Sequence, residues 1–197
     1  MNSRLRRFWP LLALLLVLAE LLLVLLSWIL SAAMPMSGVR SMLSGEGIRW
    51  FLGHFADVLA TPVLVWLLLL AMAYGSIRHC GIFEDRSSYR SRRAVWISAL
   101  YLIIYIGVVL LMAVVPHAVL LSATGNLWPS PFSASLVPVI AFGLLSMGVV
   151  YGVVAGTFLS FSDVYDSLVH GIRQSAPLLL FYILTAQLYY ALRFVFP

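Results

Sequence analysis

The chain has 197 residues, of which 63% are apolar and 10% charged, against roughly 45–50% and ~25% in ordinary soluble domains. With a mean hydropathy of +1.05, this excludes a soluble globular enzyme, a disordered chain and a nucleic-acid-binding module built on basic patches. The 12 cations outnumber the 7 anions, and the isoelectric point is near 9.7. Every cation is Arg. The single cysteine, Cys80, cannot form an internal disulfide and is expected as a reduced cytoplasmic thiol.

A membrane span needs about 20 apolar residues. The pattern predicts an all-α, polytopic membrane helix bundle of about five transmembrane helices plus two interfacial amphipathic helices, with residues 1–197 forming a single membrane domain. The first span runs from about Phe8 to Leu30, behind Arg4, Arg6 and Arg7. It is too long for a signal peptide's apolar region of ~7–15 residues, although Ser31-Ala32-Ala33 resembles a cleavage site. Near the middle of this span sits Glu20. A charge at bilayer depth costs roughly 3 kcal/mol. Glu20 is therefore expected to be protonated, hydrogen-bonded, or paired with another chain. Tyr101, Tyr105 and Gln187 are the candidate hydrogen-bonding partners within this chain, with interhelical bonding as their expected role.

Before the second span, Gly47 to Leu59 reads as an amphipathic helix. Ile48, Phe51, Leu52, Phe55 and Leu59 share one face. Ser44 is a candidate cap, and Glu46 lies where a helix dipole favours an acid. The second span is about Val58 to Ile77 and the third about Ala94 to Val115, stopping at Pro116. The fourth covers about Leu136 to Leu159. It carries Gly148, Gly152 and Gly156 at intervals of four, a helix-packing pattern in which the missing side chains let backbones approach. Ser162 to Arg173 is a second amphipathic stretch, with Ser162 as a candidate cap. The fifth span is expected to start at Pro177, whose missing N–H costs nothing at a helix start, and to end near Phe196.

Arginines orient the spans. Nine fall on one side: Arg4, Arg6, Arg7, Arg78, Arg86, Arg90, Arg92, Arg93 and Arg173. Arg40, Arg49 and Arg193 fall on the other. The expectation is a multi-pass protein of the cytoplasmic (inner) membrane, N-terminus cytoplasmic and C-terminus external.

No catalytic constellation emerges. His54, His79, His117 and His170 lie near loops, and no two share the i, i+4 spacing of a helical metal site. There is no HExxH, no paired intramembrane Asp and no phosphate-binding glycine loop. No enzyme activity, metal, cofactor or nucleic-acid partner is expected.

Two stretches carry a resemblance. Ser41-Met-Leu-Ser-Gly-Glu-Gly-Ile-Arg-Trp50, then Phe51-Leu-Gly-His, Thr61-Pro62, Gly75 and Cys80-Gly81-Ile82-Phe83, form the first. Ser130-Pro131-Phe132, Val137-Pro138, Val150-Tyr151-Gly152, Gly156-Thr157, Asp163-Val164 and Ala186-Gln187 form the second. In order and spacing they resemble the AbgT family, the p-aminobenzoyl-glutamate transporters. Members of that family are longer and carry re-entrant hairpins with the substrate and coupling-ion residues. Here the interval Glu84 to Pro129 holds one span and no such hairpin motif, and the chain ends at Pro197. No family binding residue carries over. The resemblance implies a framework or assembly subunit of a transport-related complex, a homo-oligomer or partner of a second membrane protein. The alternative is a minimal oligomeric transporter of small organic anions such as aminobenzoyl-glutamate, proton-coupled through Glu20.

Overall fold

The computed structural model describes residues 3–36, 38–83, 89–114 and 131–197. Among them every regular element is helical: α1 (Ser3–Ala33), α2 (Gly45–Leu59), α3 (Pro62–His79), α4 (Tyr89–Val114), α5 (Pro131–Ala155) and α6 (Phe161–Val195). All but α2 are long and apolar enough to cross a membrane. The chain is thus a polytopic helical membrane protein. Arg86, His117, Ser130 and the expected end of the third span at Val115 and Pro116 lie outside the described residues.

Two compact units form: Met1–Leu64 with Ala176–Pro197, and Val65–Ser175. In the first, the segment before α2 is tied down at both sides. The buried Ser27 hydroxyl donates to Val24 O (2.8 Å) and accepts from the Met42 N–H (3.1 Å). Arg40 N–H donates to Val195 O (3.0 Å). These bonds satisfy polar groups that would be costly in an apolar setting. They place Met42 in a cluster with Leu23, Ala191, Phe194 and Val195. The Trp50 ring stacks on Phe194 at 4.6 Å, while the Arg40 guanidinium lies 5.7 Å over the same ring.

The cap expected for α2 is present: Ser44 Oγ accepts from Gly47 N–H at 3.0 Å, with Glu46 in the first turn. The boundary with the second span differs from expectation. α2 runs to Leu59 and α3 begins at Pro62, so Val58 ends the amphipathic helix rather than opening the span. Thr61-Pro62 explains the break, because proline disfavours helical backbone in the residue before it. Tyr182 hydroxyl secures the corner by donating to Leu59 O (2.9 Å). Ile48, Leu52 and Phe55 remain exposed along α2, an apolar face suited to lipid.

Two further boundaries are corrected. Pro177 lies inside α6 rather than at its start, so the stretch from Ser162 to Arg173 is continuous with the last span. An interior proline removes one backbone bond at a cost of about 3 kcal/mol, yet α6 runs through Pro177 to Val195. The cap is Ser160, not Ser162. Ser160 Oγ accepts from Asp163 N–H (3.3 Å), and Asp163 Oδ2 accepts from the N–H of Leu159 (2.7 Å) and Ser160 (2.9 Å). This reciprocal arrangement satisfies donors that helix geometry leaves free. The fourth span also stops early, at Ala155, because Gly156 adopts φ +81°. Gly152 O then accepts from Thr157 N–H (2.8 Å) and Phe158 N–H (3.0 Å), closing the helix end.

The second unit is built from antiparallel α4 and α5 together with parts of α3 and α6. The register follows from two bonds. Ser91 and Tyr151 hydroxyls pair at 3.0 Å, and Tyr105 hydroxyl donates to Val139 O at 2.8 Å. One core cluster holds Cys80, Ala94, Tyr151 and Phe158.

Candidate functional site

Glu20 lies midway along α1, in the first unit. It borders an open groove of about 440 Å³ between α1 and the segment leading through α2, lined by Leu21, Val24, Met42, Ile48 and Phe51 among others. The remaining lining is apolar, so one carboxyl group faces hydrocarbon side chains. The other candidates are engaged as follows. Gln187, buried in the same unit, donates its amide N–H to Phe55 O at 3.5 Å, joining α6 to α2. Tyr105 and Tyr101 belong to the second unit. Their rings stack at 6.4 Å and 20°, and Tyr105 serves the α4–α5 contact described above. Its ring lies over Gly143, where a Cβ would come within 2.7 Å of Cε1.

The three glycines of the fourth span meet three different neighbours. A Cβ on Gly148 would stand 2.5 Å from Ser76 Oγ and 3.1 Å from Ile77 N. This is a close approach of α5 to α3, reinforced by Ser76 hydroxyl donating to Leu145 O (2.9 Å). At Gly152 a Cβ would overlap the Phe158 ring. Gly156 lies past the end of α5, with the Arg90 guanidinium 2.7 Å from its Cβ position.

A second close helix contact has a different origin. A Cβ on Gly75 would overlap Ser167 O, and one on Gly171 would overlap Ala71 O. α3 and α6 therefore cross with backbones touching. The expected stripe did not include this pair. The signal was present as Ala71-x-x-x-Gly75 and Ser167-x-x-x-Gly171, each a small-x-x-x-small pattern. The crossing also brings His79 and His170 together, with ring centroids 4.3 Å apart.

A family model described as the AbgT putative transporter family matches residues 83–194. The match takes in the second resembling stretch, from Ser130 to Gln187. The first stretch, from Ser41, lies outside it apart from Phe83. No curated protein and no solved structure matches the chain.

Proposed function

The chain belongs to the AbgT transporter family, and on that premise we propose that it serves as a framework subunit of a transport-related membrane complex, assembling with a second copy or another membrane protein. The observation that carries this reading is Glu20. Its carboxyl borders a groove that is otherwise apolar and open on one side. At bilayer depth such a group is costly alone, by roughly 3 kcal/mol. A neighbouring helix that presents a hydroxyl or amide at that level removes much of the cost. In this reading residues 1–197 act as one domain of the inner membrane, with the N-terminus cytoplasmic, the C-terminus external and α2 lying at the external interface. Gly148, Gly152 and Gly156 permit packing, Gln187 and Tyr105 join helices, and Tyr101 supports Tyr105 from within α4.

Light scattering of the detergent-purified chain tests the proposal. The expected outcome is a stable oligomer that Glu20→Gln preserves, since the amide still hydrogen-bonds. Glu20→Leu should weaken association by about 1–2 kcal/mol, the scale of an interhelical polar contact in membranes. A chain that stays monomeric and recovers no partner from solubilised membranes would overturn it.

Family membership also favours a second reading, a minimal oligomeric transporter of small organic anions such as aminobenzoyl-glutamate, coupled to protons through Glu20. Here Glu20→Gln is the decisive variant. It spares assembly but removes the titratable proton, so uptake into reconstituted vesicles should lose its dependence on a pH gradient. Vesicles with no uptake by the unaltered protein would rule this reading out.

A further inference from the structure

The glycine contact between α3 and α6 has a chemical consequence at its edge. His79, the last residue of α3, stands one helical turn beyond Gly75, and His170 directly precedes Gly171. Because the two backbones touch at Gly75 and Gly171, the imidazoles are held together, with centroids 4.3 Å apart and planes at 69°. Both rings are exposed. They open into a cleft of about 520 Å³ whose wall also carries Asp163, Asp166, Ser167 and Arg173.

We infer that the His79–His170 pair is a binding site for a divalent transition-metal ion, with Zn²⁺ as the reference ion. Neutral imidazole is a favoured ligand for zinc, copper and nickel. Two imidazoles fixed on separate helices lose little freedom when one ion joins them. Arg78 beside His79 opposes a cation there, and the cleft supplies carboxylates against it. Asp163 and Asp166 offset Arg78 and Arg173. Among the described residues no three His, Cys, Asp or Glu side chains converge as a metal cage. The two imidazoles are therefore the protein ligands, and water completes the coordination. Asp166 stands four residues before His170 on the same helical face, where a carboxylate can accept a hydrogen bond from metal-bound water. Asp163 does not fill that role, because its Oδ2 already accepts two backbone N–H groups at the cap of α6. A bound ion ties α3 to α6, so the site stabilises the second unit by linkage. It rests on residues that the Glu20 reading does not use.

The test is titration of the full chain, tag removed and metal-free in detergent, with Zn²⁺ alone, read by calorimetry and by thermal melting. The expected result is one ion per chain and a raised melting temperature. His79→Gln and His170→Gln should each weaken binding about tenfold or more and abolish the thermal shift, while His54→Gln leaves both unchanged. Failure of the unaltered protein to bind at millimolar Zn²⁺ overturns the inference, as does binding that survives both substitutions. Should the variants aggregate, Zn²⁺ protection of His79 and His170 from imidazole-acylating reagent in the unaltered chain decides. Protection of both supports the site, and acylation at the metal-free rate overturns it.

Discussion

Gly171→Ala is expected to destabilise the protein by about 3 kcal/mol, the upper end of ordinary overpacking. The added methyl would overlap Ala71 O and stand 2.8 Å from both Gly75 Cα and Gly75 N. All three atoms are backbone, so no side-chain rotation relieves the contact. α3 and α6 must separate instead, and the close packing along the crossing goes with them. The measurement is a melting curve in detergent at a fixed heating rate, beside Gly107→Ala as the matched control. A Cβ at Gly107 meets nothing within 4 Å. There the same methyl should raise helix stability by roughly 0.5–1 kcal/mol, since glycine pays more chain entropy than alanine. Equal melting of the two variants would show that the helices do not touch at Gly171.

Gly152→Leu is expected to cost about 3 kcal/mol by a different route. The new side chain would enter the space of the Phe158 ring, which is 6% exposed and packs with Cys80, Ala94 and Tyr151. The ring is held there by the turn at Gly156, whose bonds to Gly152 O fold residues 157 and 158 back over α5. Displacing it exposes aromatic surface and loosens the cluster, the regime in which large core losses arise. A double substitution separates this from a general intolerance of bulk. Phe158→Ala opens the space that the larger side chain at position 152 would need, so the pair should cost clearly less than the sum of the single changes. Full additivity would place Gly152 against something other than Phe158.

The spans were legible because hydropathy and length suffice for them. Glu20 was legible for the same reason, as a charge that stands out against an apolar run. The cap at Ser44 followed from local chemistry, since a side chain that bonds a backbone N–H three residues on needs no tertiary context. Ser162 misled because Ser160 offers the same hydroxyl two residues earlier, and only Ser160 is matched by an acid three residues on, Asp163. Pro177 misled for another reason. A missing N–H suits a helix start and is tolerated inside a long helix, and sequence periodicity is similar in both cases.

Composition, span number and the placement of one carboxyl within the first span are properties of the chain taken residue by residue, and reading the residues in order is enough to obtain them. Membership of the AbgT family is of the same kind, carried by an ordered run of landmarks within residues 83–194. What each small residue touches was settled only in three dimensions. Gly148, Gly152 and Gly156 share a spacing of four, yet one meets a neighbouring helix, one an aromatic ring folded back by a turn, and one ends its helix at positive φ. A backbone-to-backbone crossing joins Gly75 to Gly171, far apart in sequence, and it is this crossing that sets two histidines side by side. Periodicity reports which face a residue occupies on its own helix. Which helix that face meets depends on how all the helices pack, which no local pattern encodes.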